Sequence, residues 1–435
     1  MLKVVKFGGS SLSCETQFQK VKNIVLSDKH RKIVVVSALG KRNPEDSKIT
    51  DLLYILHAHI KFSVPFDDIW EMVSSRFIEV KESLNIDFDI ESELSKLRSE
   101  LKKGINEDYL VSRGEYLTAR LMAEYLGYSF VDAKDVIRFN YEGQIDYEAT
   151  MPLCQKAFEE YGKIVVPGFY GSYQNGDIKL LSRGGSDVTG SILARSLNVD
   201  LYENWTDVSG ILMADPRIID NPKPVKEITY HELRELSYMG ANVLHEETIF
   251  PVQALNIPIN IKNTNRPEDK GTLILESCSE NDQTITGIAG KKNFVSFSIF
   301  KSHMSNEIGY VRKVLSVFER YNVSIEHIPT GIDSISIVVS SEDVEKYKYE
   351  ILLELKNVLK ADEVNIQENI SLIAIVGRNM AGHVGLSGQL FSVLGASDIN
   401  VKMIAQGPEE LNIILGIDTK DYDRTIKLIY NKLVK

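Results

Sequence analysis

The sequence predicts an α/β fold: a largely parallel sheet covered by helices, followed by two small ferredoxin-like βαββαβ modules. Three observations support this fold class. A βαβ pattern opens the chain, further short apolar strands alternate with helical stretches up to about residue 280, and an internal repeat fills the sequence after residue 294. A βαβ unit requires parallel neighbouring strands with helices on the sheet faces, and βαββαβ is the ferredoxin-like order.

The opening pattern is an apolar strand at 4–7, a helical stretch at 18–26 and a second apolar strand at 32–37. The first strand runs into a glycine loop, and the second ends at Ser37. Open parallel sheets bind ligands at the carboxyl ends of their strands. We therefore expect the glycine loop and Ser37 to line a crevice at that edge of the sheet.

The first domain is predicted to span 1–280, with a helical insertion at about 49–112 where charged and apolar residues follow helical spacing with few turn signals. We expect the insertion to cover one edge of the sheet, either for substrate closure or subunit contact or as a structural flank. The α/β pattern resumes near Ser112, and another helix begins close to Ser186. Further strands are predicted at 130–131, 164–167, 178–181, 201–205, 259–262 and 272–275.

The repeat predicts two modules, at 281–366 and 367–435, with 283–290 as a candidate strand of the second. The pair Asn322-Val323 recurs as Asn400-Val401. A remaining edge strand from 364–366 or 284–286 would complete each copy. The first copy is predicted to contain strands at 294–300, 323–328 and 335–339 and helices at 310–321 and 344–359; the second contains strands at 371–376, 401–405 and 411–417 and helices at 384–394 and 422–433.

Composition narrows the class of protein. The 435 residues are 43% hydrophobic and 26% charged, with a net charge of −11 from 50 basic and 61 acidic side chains. An acidic chain is a poor nucleic-acid binder, and no apolar run reaches the ~18 residues of a membrane span. Three scattered cysteines without metal-ligand spacing fit a reducing compartment. We expect a cytoplasmic protein without nucleic-acid or membrane partners.

Two glycine loops carry the candidate chemistry. Lys6 precedes Gly8-Gly9-Ser10, where a lysine ammonium could reach phosphate oxygens, although an exposed edge-strand lysine is the alternative. The second loop has Arg183 before two glycines and Asp187 after them, at a helix start whose N–H groups and dipole favour anions. An Arg fork suits a carboxylate or phosphate, while a tight turn with an aspartate cap is the plain alternative. There is no Gly-x-x-x-x-Gly-Lys-Ser/Thr phosphate loop.

Together these motifs resemble aspartate kinase, an amino-acid-kinase fold followed by paired ACT domains. The resemblance covers essentially the whole chain, and the motifs occur in that family's order and spacing. They are Lys6-Phe7-Gly8-Gly9-Ser10-Ser11, Val36-Ser37-Ala38, Ser112-Arg113-Gly114-Glu115, Arg183-Gly184-Gly185-Ser186-Asp187, Trp205-Thr206-Asp207-Val208-Ser209-Gly210 and Asp215-Pro216-Arg217.

The resemblance implies transfer of the ATP γ-phosphate to the side-chain carboxylate of L-aspartate, giving 4-phospho-L-aspartate on the route to lysine, threonine and methionine. A carboxylate, with an ordinary pKa of about 3.9, is already ionised at neutral pH. Such a site needs no general base, in keeping with the lack of a Ser-His-Asp or Cys-His arrangement. It must hold two anions in line and stabilise the transferring phosphoryl group.

The resemblance also implies residue roles. Lys6 and Asp187 are catalytic, with Lys6 on the transferring phosphate and Asp187 orienting Lys6 or bound water and magnesium. Arg183 takes the substrate's α-carboxylate and Glu115 its ammonium, a structural Arg–Glu pair being the alternative. Ser37, Thr50, Phe169 and Ser186 complete the substrate pocket; Gly8, Gly9, Ser10, Thr206, Asp207, Leu212, Asp215, Arg217 and Asn242 bind the nucleotide. Mg2+ is expected on nucleotide phosphates and water, without a dedicated set of protein ligands.

Two positions depart from the family pattern. Many relatives have Lys at the position of Asn242 and an aromatic residue at that of Leu212, which affects the detail of ATP binding but not the class of reaction. His231 and His245 are interpreted as structural histidines.

The paired ACT modules imply feedback inhibition by an end-product amino acid, with L-lysine the favoured candidate, and a homodimer or dimer of dimers. Glu326 could pair with a lysine ammonium, or it could be a solvated charge at a strand end. The implied effector pocket consists of Met304, Gly309, Tyr310, Val311, Ser324, Ile325 and Glu326.

Two other functions remain open at this stage. One is a different amino-acid-kinase activity, on acetylglutamate, glutamate or uridylate; Glu115, Arg183 and the ACT-like tail argue against it. The other is a catalytically dead amino-acid sensor, which the retention of Lys6, Arg183 and Asp187 disfavours. No homoserine dehydrogenase domain is expected, because the chain stops at Lys435.

Overall fold

The computed structural model describes residues 1–182, 184–241, 244, 246–278, 284–380, 382–407 and 409–434. They form two compact units. Unit 1 comprises Met1–Ile211, Lys226–Tyr230 and Val243–Cys278, and unit 2 comprises Leu212–Val225, His231–Asn242 and Ser279–Lys435. Arg183 and Asn242, both predicted site residues, lie outside the described residues, as does His245.

The core of unit 1 is an eight-stranded sheet in the order β3-β5-β2-β1-β8-β10-β11-β9. Every neighbouring pair is parallel except β10 with β11. The strands are β1 Lys3–Phe7, β2 Arg31–Val36, β3 Ser129–Phe130, β5 Ile164–Pro167, β8 Leu201–Thr206, β9 Glu227–Thr229, β10 Ile259–Asn263 and β11 Thr272–Leu275. A small second sheet joins β4 Arg138–Phe139, β6 Tyr170–Tyr173 and β7 Ile178–Leu180. The predicted α/β class with a largely parallel sheet is confirmed.

The helices of unit 1 lie on the sheet because their apolar faces repeat at helical spacing. They are α1 Glu15–Leu26, α2 Ile49–Lys61, α3 Asp67–Leu84, α4 Ile90–Glu100, α5 Glu107–Leu126, α6 Ala133–Val136, α7 Tyr147–Tyr161, α8 Gly185–Ser196 and α10 Ile249–Gln253. The helical insertion extends past its predicted end, since α5 runs through residue 112 without a break. Asn106 caps this helix by accepting a hydrogen bond from the Tyr109 N–H.

The insertion covers a face of the sheet rather than one edge. Helices α1 to α5 share one apolar cluster with the central strands, which contribute Phe7, Val34, Val165 and Trp205. Helix α5 is buried nearly all round over its middle turns. It can therefore carry polar side chains directly to the carboxyl end of the sheet.

Unit 2 contains a six-stranded antiparallel sheet in the order β13-β14-β12-β15-β17-β16. Its strands are β12 Gly287–Phe300, β13 Ile325–His327, β14 Ser334–Ser340, β15 Glu363–Val376, β16 Val401–Gln406 and β17 Asn412–Asp418. Its helices are α11 Tyr310–Arg320, α12 Ser341–Val344, α13 Lys348–Asn357, α14 Leu386–Gly395 and α15 Tyr422–Ile429, with α9 Tyr230–Tyr238 in this unit apart from its first residue. The helix predicted at 344–359 is observed as the shorter α13, and the separate α12 ends where the prediction began.

Two long strands join the repeats. The first part of β12, 287–291, pairs with 372–376 of β15, and its second part, 294–300, pairs with β14 and with 363–370. The start of β12 therefore lies beside a strand of the second repeat, whereas its end belongs to the first. In the described part of the chain, no helix is long and apolar enough to cross a membrane.

Candidate active site

The predicted crevice forms where the parallel strands of unit 1 end. Phe7 pairs with both Val36 and Trp205, so β1, β2 and β8 end at the same level of the sheet. The glycine loop follows β1, Ser37 follows β2, and Thr206 ends β8. These ends lie at the carboxyl edge, where ligands of open α/β sheets bind.

Lys6 and Asp187, the predicted catalytic pair, are in contact. Lys6 is the penultimate residue of β1 and only 7% exposed, and its Nζ forms an ion pair with Asp187 Oδ1 in the first turn of α8. A Cβ on Gly8 would lie 3.4 Å from that Nζ, which places the ammonium directly beside the glycine loop. The Asp187 side chain is 17% exposed, so part of the carboxylate is accessible to solvent.

Glycine is required both in the turn before α8 and in the loop after β5 that packs against it. Gly184 has φ 77°, in the left-handed region that favours glycine. A Cβ on Gly168 would lie 2.6 Å from the Ser186 Cβ, so any larger residue would push the loops apart. Phe169 itself has φ 78°, a conformation that is costly for a non-glycine residue and is found preferentially at functional sites. Its N–H donates to Thr189 Oγ1, which holds Phe169 over α8 beside Ser186.

Glu115 provides a buried carboxyl group in the same unit. It is 4% exposed, and its Oε2 has no hydrogen-bond partner among the described residues. Burial raises the pKa of Glu115 to about 8, against the opposing effects of the Ala38 backbone N–H and the Arg113 guanidinium. Neighbouring Gly114 packs against Ala38, just after β2, and against Ile49. A buried carboxyl group with an unpaired oxygen can pair with a cation, which would favour its ionised form.

The glycine loop after β1 is tied to the loop after β2. The Gly40 N–H donates to the Gly9 carbonyl at 3.0 Å, and a Cβ on Gly9 would lie 3.1 Å from the Ala38 carbonyl oxygen. Ser10 is exposed at this loop, and the predicted substrate residue Thr50 lies half-buried in the first turn of α2. Gly8, Gly9 and Ser10 thus sit on a braced loop.

The remaining nucleotide residues fall in both units. In unit 1, Thr206 Oγ1 donates to Asp207 Oδ1 at 3.2 Å after β8. In unit 2, Asp215 holds Arg217, accepting from its backbone N–H at 2.8 Å and from its guanidinium at 2.6 Å. Hydrogen bonds from Arg217 lower the pKa of Asp215, and the Arg217 side chain is 86% exposed. Half-buried Leu212 pairs with Pro224.

Sequence reasoning missed Asn204. This residue of β8 pairs in register with Lys6, is 4% exposed, and donates from Nδ2 to Asp187 Oδ1 at 3.0 Å. The only signal in the sequence was the pair of polar residues Glu203 and Asn204 inside a predicted strand. No group of three metal-ligating side chains of His, Cys, Asp or Glu occurs among the residues that the structure describes.

The predicted effector residues lie around the start of α11 and along β13. Met304 and Tyr310 are buried, and Val311 is partly exposed. Ser324 and Ile325 line an open cavity of about 620 Å³ together with Arg312, Leu315, Ser316, Glu319, Asn322 and Val323 of α11 and the following turn. Glu326 accepts a hydrogen bond from the Tyr238 hydroxyl of α9 at 2.7 Å.

Comparison with known proteins agrees with this geometry. Residues 1–263 match the model of the amino acid kinase family, and residues 373–433 match that of an ACT domain. The chain therefore belongs to the amino acid kinase family.

Full-length relatives narrow the class. Aspartokinase 3 of Bacillus subtilis is 36% identical over 99% of this chain and 98% of its own length. The crystal structure of Clostridium acetobutylicum aspartate kinase is 48% identical, covers 99% of both chains and has a TM-score of 0.93. E. coli aspartokinase III covers both chains completely, with aspartate and ADP (25% identity, TM-score 0.79) and with lysine and aspartate (26%, 0.78). The protein is an aspartate kinase with an ACT-bearing C-terminal region.

Proposed function

We propose that this aspartate kinase transfers the γ-phosphate of ATP to the side-chain carboxylate of L-aspartate, giving 4-phospho-L-aspartate and ADP. The observation that carries the proposal is the buried, unpaired Glu115 oxygen in the unit that also holds the Lys6–Asp187 pair. A free α-amino acid brings an ammonium for Glu115, whereas a nucleotide or an N-acylated acid does not. The E. coli enzyme solved with aspartate and ADP supports the same substrates.

In the proposed reaction, a side-chain oxygen of aspartate forms a bond to the γ-phosphorus as the bond from that phosphorus to the β,γ-bridging oxygen breaks. The nucleophile is already ionised, so the site contributes alignment and charge stabilisation. The Lys6 ammonium faces the transferring group, the lack of side chains at Gly8 and Gly9 lets the phosphates approach this loop closely, and Asp187 holds Lys6 in place. Arg183 takes the α-carboxylate, and Ser37, Thr50, Phe169 and Ser186 complete the pocket.

ATP is proposed as the phosphate donor. Thr206, Asp207 and Ser10 take nucleotide roles in unit 1, and Leu212, Asp215, Arg217 and Asn242 keep the roles predicted for them. Mg2+ would be carried on the nucleotide phosphates and would neutralise their charge, as this ion keeps much of its water. The second oxygen of Asp187 fits that arrangement, since none of the described residues donates to Oδ2 and it can accept from a metal-bound water.

Regulation is proposed to act through the two ACT modules, with L-lysine as the inhibitor. Glu326 would take its side-chain ammonium, in a pocket with Met304, Gly309, Tyr310, Val311, Ser324 and Ile325. The lysine complex of the E. coli enzyme supports this choice of effector. We propose domains at 1–280, 281–366 and 367–435, with 283–290 contributing to the second module; the pairing of 287–291 with 372–376 supports that assignment. A homodimer or dimer of dimers and a cytoplasmic location stay predictions.

The test is ADP formation from Mg-ATP with L-aspartate, L-glutamate, N-acetyl-L-glutamate or UMP, each then titrated with lysine, threonine and methionine. We expect turnover with aspartate alone and suppression by lysine. Turnover with another acceptor in place of aspartate would assign a different activity within the family. Inhibition by threonine only would leave the proposed aspartate kinase activity standing but would reject Glu326 as a lysine-binding residue. Lysine binding without any turnover would indicate a catalytically dead sensor.

A further inference from the structure

Asn204 is a buried polar residue beside the Lys6–Asp187 pair, and no sequence motif assigns it a role. It lies in the middle of β8, directly opposite Lys6 in the register between β1 and β8. Its neighbours Tyr202 and Trp205 are fully buried, and Asn204 itself is almost so. A buried amide in the centre of a sheet is costly unless it is hydrogen-bonded, so its partner is informative.

The partner of Asn204 is the catalytic carboxylate. Asp187 Oδ1 receives two donors from the described residues, the Lys6 ammonium and, at 3.0 Å, Asn204 Nδ2. A carboxylate oxygen held by two donors on neighbouring strands has little freedom to rotate. The Tyr202 hydroxyl donates to the Asp187 backbone carbonyl at 3.0 Å, so β8 fixes both the main chain and the side chain of this residue.

The chemistry of an amide suits this position. Asn204 donates a hydrogen bond without adding a charge, and so the Lys6–Asp187 pair stays neutral overall. A second carboxylate here would make the group net negative beside the phosphates of ATP. An apolar side chain would leave Asp187 free to turn, and the Lys6 ammonium would move with it.

We propose that Asn204 is a positioning residue for phosphoryl transfer: it fixes the Asp187 carboxylate and thereby holds the Lys6 ammonium where the transferring phosphoryl group gains charge. The proposal rests on the function proposed for Lys6. Asn204 acts through Asp187 and does not itself contact substrate. Its effect belongs to the chemical step, so it should be visible in kcat while the KM for aspartate stays the same.

The test compares Asn204→Leu and Asn204→Asp with wild type and with Asn260→Ala as the matched control. Asn260 is an asparagine on the adjacent strand β10 whose Oδ1 is buried and unpaired, and it lies outside the site. For Asn204→Leu we expect kcat to fall by about 10- to 100-fold, the scale of a misplaced reacting group, with the aspartate KM within about 2-fold. The control should keep the wild-type kcat.

Asn204→Asp gives a readout that a purely structural residue would not. The new carboxylate faces Asp187 and the Lys6 ammonium, with Tyr202 the other titratable side chain of β8 in contact with Asp187. Two carboxylates sharing one lysine titrate with a raised upper pKa. We expect the kcat of this variant to rise as the pH is lowered, because protonation makes the new side chain neutral. The pH profile of wild-type kcat should lack this rise.

The outcomes separate the two proposals. If wild type forms no ADP with aspartate, the proposed function fails, and the role of Asn204 falls with it. If wild type is active while Asn204→Leu keeps its kcat within about 2-fold, or Asn204→Asp shows the wild-type pH profile, the positioning role is refuted and the proposed function stands. If Asn204→Leu does not fold, the pH dependence of kcat in Asn204→Asp decides whether Asn204 has the positioning role.

Discussion

Replacing Glu115 with Gln should change how the free energy of unfolding depends on pH. Burial raises the pKa of Glu115 to about 8, whereas a glutamate in an unfolded chain has its usual value of 4.5. Between these values, the folded chain keeps a proton that the unfolded chain has lost. Because the unfolded state binds fewer protons there, stability falls as the pH rises, starting near the lower pKa and ending above the higher one.

The size of the effect follows from the two pKa values. Their difference is about 3.5 pH units (8 minus 4.5), and at about 1.36 kcal/mol per unit this is about 5 kcal/mol. Glutamine has the same shape and stays neutral, so the Glu115→Gln variant lacks this loss. We therefore expect the variant to equal wild type below about pH 4.5 and to become progressively the more stable protein as the pH rises to about 8.

The assay is denaturant unfolding of the ligand-free wild type and variant, side by side, from about pH 5 to pH 9. The difference in unfolding free energy should widen by several kcal/mol across this range. Two curves that stay parallel would refute the reasoning. Aspartate binding gives an independent check: an ammonium on Glu115 favours the carboxylate, so binding below the raised pKa should release about one proton, measurable by calorimetry in buffers of different ionisation enthalpy and absent in the variant.

Three further substitutions test other parts of the account. Lys6→Met should lower kcat by about 100- to 1,000-fold, because the variant lacks the ammonium that stabilises charge on the transferring phosphoryl group. Calorimetry should still detect binding of aspartate to this variant. A variant with wild-type kcat would exclude Lys6 from the mechanism. Tyr238→Phe removes the hydroxyl that donates to Glu326 and would compete with a bound lysine. The lysine concentration for half-inhibition should therefore fall by about 2- to 10-fold. An unchanged concentration would indicate that Glu326 does not bind the inhibitor. Arg76→Met should cost about 3–5 kcal/mol in chemical unfolding, because the buried guanidinium ties the Gly40 carbonyl to neighbouring loops; a loss below about 1 kcal/mol would contradict that.

Local signals in the sequence were sufficient where a single segment decides the structure. The apolar strand before Gly8 and the apolar run before Ser37 fold as β1 and β2, because strand and turn preferences agree there. The pairing of Lys6 with Asp187 came from the order of the motifs, since no local pattern joins residues so far apart in the chain.

Other features depend on contacts that no segment encodes alone. The sequence pattern suggested that the helical insertion ends near Ser112, yet α5 continues through this residue because tertiary packing surrounds the helix on most sides. The hydrogen-bond partner of the Asn204 side chain is Asp187, and this contact depends on where α8 begins relative to β8. The contact of Glu326 with Tyr238 joins elements far apart in the sequence and could not be inferred from either.

The most direct test of the central claim identifies the product. Wild-type protein is incubated with Mg-ATP, L-aspartate and hydroxylamine, which traps an acyl phosphate as its hydroxamate, and the adduct is located by mass spectrometry and NMR. We predict the hydroxamate on the side-chain carboxyl of aspartate, formed in equal amount to ADP and missing with Lys6→Met. A hydroxamate on the α-carboxyl, or ADP formed without any trapped aspartate, would contradict the account.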